Sequence, residues 1–139
     1  MARRSRIAMT AMSRTLSISI NCHPDRVYDF VSNLENMPVW AATFCKSIKK
    51  SDGEWIAETP QGKVKIRLAE KNQFGILDHY ISPVPGVEAY VPMRVMPNGS
   101  GSEMVFTLFR LSGMTEEQYA EDARLVEQDL RTLKDVLEK

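Results

Sequence analysis

In "RTLSISIN", Leu16, Ile18 and Ile20 alternate with Thr15, Ser17 and Ser19, the period-two pattern of a strand with one face buried. The period then changes. Val27, Phe30, Val31 and Leu34 recur at helical spacing behind Pro24, which suits a first helical turn, and Asp25, which suits the positive end of the helix dipole. Pro38, after Asn33 to Met37, ends that helix, and "MPVWA" predicts a second short helical turn carrying Trp40. From Phe44 to Leu111, short alternating segments are separated by turn signals at Asp52-Gly53, Pro60-Gln61-Gly62, Asn72-Gln73, Pro83 to Gly86 and Asn98-Gly99. They predict an antiparallel meander. The chain closes on "TEEQYAEDARLVEQDLRTLKDVLEK", where Thr115 followed by Gln118 forms a capping box, and Tyr119, Ala123, Val126, Leu130, Leu133 and Leu137 make one apolar stripe. At about 1.5 Å per residue this helix is about 35 Å long, the length of strands of nine or ten residues at about 3.3 Å each. It can lie along the whole sheet.

Two-residue turns fix which residues face one another, so they test whether the strands share an inner face. With Asn98-Gly99 as the turn, Val95 opposes Ser102, Met93 opposes Met104, Val91 opposes Phe106 and Ala89 opposes Leu108. The other face pairs Arg94 with Glu103 and Tyr90 with Thr107, which suits solvent. With Gln61-Gly62, Trp55 meets Leu68, Ala57 meets Ile66 and Thr59 meets Val64, while Glu58 opposes Lys65 outside. With Asn72-Gln73, Leu68 meets Leu77, Ile66 meets His79 and Val64 meets Ile81, while Arg67 opposes Asp78 outside. The last two registers place Val64, Ile66 and Leu68 on one face, so His79 is expected to point inward. A bulge at Gly75 would turn it outward.

Composition narrows the function classes. A chain of 139 residues suits one domain, and 18 basic against 18 acidic side chains leave no net charge to attract nucleic acid. The two cysteines, Cys22 and Cys45, lack metal-ligand spacing and read as reduced, partly buried thiols. No apolar run reaches the roughly 18 residues of a membrane span, so a cytoplasmic protein is expected. Arg3, Arg4 and Arg6 give a basic start without a secretory apolar segment. Residues 1–13 are read as a flexible leader and 14–139 as a single domain, with translation starting at Met1, Met9 or Met12.

A strand, two short helices, a run of antiparallel strands and a long helix make the α+β helix-grip order, a curved antiparallel sheet wrapped around a C-terminal helix. The chain resembles the START-like superfamily (SRPBCC, Bet v 1-like), which includes polyketide cyclases, plant pathogenesis-related allergens and lipid-transfer domains. The resemblance covers residues 14–138 and rests on "VYDFVSNLENMPVWA", "FGILDHYI", "VPMRVMPNGSGSEMVFTLFR" and the terminal helix. It is strongest to uncharacterised bacterial members of the polyketide cyclase or dehydrase type. It implies a cavity between helix and sheet for a small apolar or aromatic molecule.

On that expectation the cavity is lined by Trp40, Trp55, Thr59, Ile66, His79, Met93, Met104, Phe106, Leu108, Arg110, Tyr119 and Val126. His79 is either a general acid/base on the cavity wall or a core histidine bonded to a neighbour; the second reading is preferred, since no partner group has a compelling spacing. Lys46, Thr59, Ser102 and Arg110 are the other inward polar residues, and Arg110 either anchors a ligand carboxylate or reaches the rim. Trp40 and Trp55 stack on a ligand or simply fill the core. Tyr119 gates the cavity or packs helix on sheet. Met93, Met96, Met104 and Met114 suit an adaptable wall as well as ordinary gap filling. His23 reads as a residue of the turn into the first helix. No P-loop, GxGxxG, HExxH, GxSxG or metal-ligand cluster occurs, so no cofactor or metal is expected. The leading expectation is a binding protein for a small hydrophobic ligand, with room for a homodimer. The alternatives are a metal-free polyketide cyclase or dehydratase using His79, and a protein-interaction module, against which the polar outer faces speak.

Overall fold

The computed structural model describes residues 7–139; of the proposed leader, residues 1–6 lie outside the described residues. The elements run β1 (Ser13–Ile20), α1 (Pro24–Ser32), a 3-10 turn (Leu34–Asn36), α2 (Met37–Trp40), β2 (Ser47–Ser51), β3 (Glu54–Thr59), β4 (Gly62–Leu68), β5 (His79–Ser82), β6 (Ala89–Val91), β7 (Met93–Asn98), β8 (Gly101–Phe109) and α3 (Glu116–Leu137). This is the expected helix-grip α+β arrangement, a curved antiparallel sheet with a long C-terminal helix. Two ladders, β1-β8-β7 and β2-β3-β4-β5-β6, are joined where β6 runs into β7. Pro92 stands at the junction, and its missing N–H interrupts the ladder. Across the seam, Leu77 N donates to the Met93 carbonyl at 2.8 Å, Val95 N to Gly75 at 3.0 Å and Thr107 N to Pro92 at 2.9 Å.

The helix ends are satisfied locally. His23 caps α1 with Nδ1, which accepts from Asp25 N at 3.1 Å. At α3 the capping box is complete: Thr115 Oγ accepts from Gln118 N at 3.0 Å, and Gln118 Oε1 accepts from Thr115 N at 2.9 Å. The buried stripe of α3 (Tyr119, Ala123, Leu130, Leu133, Leu137) packs over β1 and α2. Its C-terminal end is pinned by Lys134 Nζ donating to the Ser19 carbonyl at 2.9 Å and by Arg26 donating to the Leu137 carbonyl at 3.1 Å.

All three expected hairpin registers are displaced by two residues. Trp55 opposes Ile66, Ala57 opposes Val64 and Thr59 opposes Gly62, because Pro60-Gln61 and not Gln61-Gly62 forms the turn. Met93 opposes Phe106 and Val95 opposes Met104, because Gly99-Ser100 forms the turn; Gly99 takes φ 59° as its first central residue. Leu68 opposes His79 and Ile66 opposes Ile81, and no two-residue hairpin joins β4 to β5. Asn72 builds that connection, its Nδ2 donating to the Glu70 and Ile76 carbonyls and its Oδ1 accepting from Phe74 N and Ile76 N. A slip of two leaves every side chain on its face, so the inner set survives the correction.

The outer pairings do change. Arg94 bridges Asp78 at 3.2 Å instead of Glu103, Arg67 bridges Glu88 at 3.1 Å instead of Asp78, and Glu103 accepts from Ser19 Oγ at 2.6 Å. Tyr90 opposes Tyr80 instead of Thr107. Nor is the outer face uniformly polar. Tyr80 and Tyr90 stack at 5.2 Å, Tyr90 and Phe109 at 6.3 Å, and Arg67 lies over Tyr80 at 4.3 Å, so an aromatic row crosses the outer face. Lys46, expected inward, is exposed just before β2.

One buried carboxylate holds α3 to the segment after α2. Asp129 accepts from Thr43 N at 3.2 Å and from Thr43 Oγ at 2.7 Å. Burial pushes its pKa up, partly opposed by the two Thr43 bonds. Asp129→Ala leaves the Thr43 donors without their acceptor and should cost about 1–3 kcal/mol in urea unfolding. Asp129→Asn retains the acceptor for Thr43 N and should cost less. Because the folded pKa is raised, the native protein gains stability as pH falls through it, and the Asn variant should lack that gain below neutral pH.

Candidate functional site

His79 opens β5 and is 5 % exposed. Leu68 of β4 and Val91 of β6 stand opposite it on the same face, and Phe106 meets it edge-on at 6.3 Å between ring centroids. Its position depends on the turn before it. Gly75 takes φ +73° and lies so close to β7 that a Cβ would overlap the Val95 carbonyl, and this seats residues 75–77 on β7 with Ile76 opposite Arg94.

The ring has a definite protonation pattern. Nδ1 lies 3.1 Å from the Leu77 carbonyl oxygen. A carbonyl only accepts, so Nδ1 carries the hydrogen. Burial pushes the His79 pKa down from its ordinary value, against smaller raising effects from the Leu77 carbonyl and Asp78. At neutral pH the ring is therefore uncharged and Nε2 is an acceptor that makes no hydrogen bond among the described residues.

The other expected site residues divide into groups. Ile66, Met93 and Met104 are fully buried at the centre of the inner face, whereas Trp55, Phe106, Leu108 and Val126 are half-buried. Thr59 is buried and committed to its turn, donating to the Gly62 carbonyl at 2.7 Å and accepting from Gln61 N at 3.2 Å. Arg110 Nε donates to the Met114 carbonyl at 3.0 Å, and Tyr119 donates to the Leu108 carbonyl at 2.7 Å, tying the start of α3 to the end of β8. Ser102 is buried and donates to the Cys22 carbonyl. Trp40 is buried with Nε1 lacking an acceptor among the described residues. Cys22 and Cys45 are both free and buried, and burial pushes Cys45 up to about 11, which holds it as the unreactive thiol. Among the described residues, no three His, Cys, Asp or Glu side chains gather to hold a metal, and no helix is long and apolar enough to cross a membrane.

Two adjoining clefts open beside the end of α1. The larger, about 420 Å³, has Leu34, Trp55, Ile66 and Leu68 as its apolar lining, with Asn33 and Arg67 among its polar residues. The smaller, about 220 Å³, shares Ser32, Asn33 and Leu68 and adds Tyr28 and Lys71. Neither is lined by α3. They bring together Trp55 and Ile66 of the expected site residues, while His79 lines neither. Sequence reasoning missed Leu34, Asn33 and Leu68 as lining residues and Asp129 as a buried group. The signal for Asp129 was available, since it falls inside the apolar stripe between Val126 and Leu130.

This arrangement of sheet, helix and paired short helices is the START-like fold. No protein-family model matches the sequence, and no curated protein matches it. Among solved structures, the chain is similar to the protein XoxI from Bacillus cereus, at 19 % identity and TM-score 0.74 over 93 % of this chain and 96 % of that one. It is similar to a START superfamily protein from Mycobacterium smegmatis at 10 % identity and TM-score 0.71, covering 91 % and 97 % of the two chains. It is also similar to Ara h 8.0201 at 12 % identity and TM-score 0.66, covering 91 % and 97 %.

Proposed function

We propose that this protein binds one small hydrophobic or aromatic molecule, lipid- or polyketide-like, between the inner face of the sheet and α3. The observation that carries the reading is incomplete burial along an apolar inner face. Trp55, Val64, Leu68 and Phe106, with Val126 on the helix, pack against the core yet stay only partly buried, while Met93 and Met104 beside them are sealed. α3 rests on β1 and α2, at one side of the sheet. A ligand covering the remaining apolar surface gains about 25 cal/mol per Å² removed from water. The clefts beside Leu34 and Leu68 supply the route in. Native mass spectrometry of the gently purified protein, followed by denaturing extraction, should show a stoichiometric apolar or aromatic adduct. A bare mass, together with no saturable binding of aromatic probes, overturns the reading.

A cyclase or dehydratase reading draws on the same histidine. A neutral inward imidazole with a bare Nε2 can take a proton from a bound substrate. His79→Gln should then lower turnover far more than binding, whereas an equal fall in both removes the acid/base role. The interaction-module reading gains little from the outer aromatic row. That row is held by its own partners, with Tyr90 donating to Asp78 at 2.8 Å and Arg67 covering Tyr80.

A further inference from the structure

The binding reading above leaves the head group of the ligand open, and two arginines narrow it. Arg14 opposes Leu108 in the β1–β8 ladder and so shares the inner face with Leu16 and Ile18. Arg110 follows the last residue of β8. Its N–H donates to the Met12 carbonyl at 2.8 Å, which carries the ladder one step further and keeps Arg110 on that same face. The two arginines are diagonal neighbours, which in such a ladder stand about 7–8 Å apart, within reach of long side chains. Arg110 is half-buried, and its Nε is fixed by the Met114 carbonyl at 3.0 Å, so the guanidinium is oriented before anything binds. Arg67, Arg94, Arg124 and Arg131 each hold a carboxylate, and Arg26 holds the Leu137 carbonyl. Among the described residues Arg14 and Arg110 form no ion pair, and the two Nη groups of Arg110 make no hydrogen bond. The acids of this end are Glu116 and Glu117 in the first turn of α3 and Asp122 in the next. None pairs with either arginine, and burial together with Glu121 pushes the Asp122 pKa up with no arginine to oppose it. No acidic residue precedes Asp25, so β1 brings none.

We propose that the ligand is an amphiphilic carboxylic acid whose carboxylate sits on Arg110, with Arg14 as the outer cation, and whose apolar part lies along Leu108, Phe106 and Val126. The inference rests on the binding reading. With Nε occupied, the guanidinium still presents two Nη donors side by side, which match the two oxygens of a carboxylate. The apolar path begins beside it. Leu108 and Phe106 follow on the same face, and Val126 lies two turns along α3 from Tyr119, whose hydroxyl donates to the Leu108 carbonyl at 2.7 Å. All three are half-buried and offer apolar surface for a tail to cover. One half-buried guanidinium offsets one negative charge, while the exposed Arg14 is screened by water and adds less. An alcohol would leave Arg110 unpaired, and an ammonium would bring a third positive charge to two that already repel.

The test compares three probes with one tail by calorimetry, each below its micelle concentration: decanoate, 1-decanol and decylammonium. The full chain should bind decanoate about tenfold or more tighter than decanol, the scale of one charge-assisted hydrogen bond, and decylammonium weakest. In Arg110→Gln the preference for decanoate should vanish, and in Arg14→Gln only part of it should be lost. Arg131→Gln, which removes an exposed arginine paired with Glu127 on α3, should keep it in full. A second measurement needs no variant. In nitrogen NMR of the wild-type protein, the Arg110 Nη resonances should move on adding decanoate and stay still on adding decanol. Equal wild-type affinities for decanoate and decanol, or an undiminished preference in Arg110→Gln, overturn the carboxylate proposal and leave apolar binding standing. Failure of all three probes to bind counts against the binding reading itself.

Discussion

Gly75→Ala should lower the melting temperature by about 10–20 °C or prevent folding. Two costs add. An alanine at φ +73° adopts a left-handed backbone that costs about 1–2 kcal/mol. Its Cβ would also overlap the Val95 carbonyl, which is backbone in the middle of β7 and cannot rotate away. Forced overpacking of that kind costs about 1–3 kcal/mol more, and a kilocalorie corresponds to about 4 °C in a domain of this size. Gly53→Ala separates the two. Gly53 has φ +80° in the β2–β3 turn and open space where a Cβ would stand, so it should show the backbone cost alone. If thermal scans put both variants at the same modest loss, residues 75–77 are not seated on β7. The hydrogen bonds from Leu77 N and Val95 N, and with them the placement of His79, would then need revision.

Met104→Asp should abolish folding. Met104 has no exposed surface, and its neighbours across the sheet are Ile18 and Val95. A carboxylate there has no cation to meet and must either stay charged in an apolar core or protonate; the cost exceeds about 4 kcal/mol, a large part of a typical domain's stability. Glu103→Gln, one residue away on the other face, should cost about 1 kcal/mol or less, since Gln keeps one acceptor for Ser19 or Asn98. Phe106→Asp should fall between them, because Phe106 is only half-buried. Far-UV circular dichroism with urea titration orders the three. A well-folded Met104→Asp protein would mean that the inner and outer faces are reversed.

How far the sequence could be read depended on what each feature required. The face of a strand residue needs only parity, so Met93, Met104, Phe106 and His79 could be placed inward although every hairpin was two residues out of register. Cross-strand partners need the turn itself. Pro60 and Gly99 each opened a turn one residue earlier or later than the glycine-second rule suggested, and the ion pairs of Arg67 and Arg94 moved accordingly. The same slip concealed the aromatic row, since Tyr90 was set against Thr107 instead of Tyr80. The β4–β5 connection was illegible because its order comes from one side chain, Asn72, reaching backbone groups on both sides and receiving none of its register from a tight turn. For the site, the inward histidine was visible. Its tautomer was not, since that depends on where the carbonyl two residues earlier points once the strand is in place.

The pairing of β1 with β8 sets the order in which this protein can be assembled. Thr15 and Thr107 touch across 92 residues of chain, and Leu16 and Ile18 meet Phe106 and Met104 along the same ladder. During synthesis the first strand leaves the ribosome long before its strand partner β8 exists. At about 5–20 residues per second, β1 waits on the order of 5–20 s with its apolar face and both edges open. Contacts this distant in sequence also slow refolding from denaturant. The alternating serines and threonines of β1 keep one face of the waiting strand soluble. Its protection comes last, when β8 arrives on one side and α3 closes over its inner face.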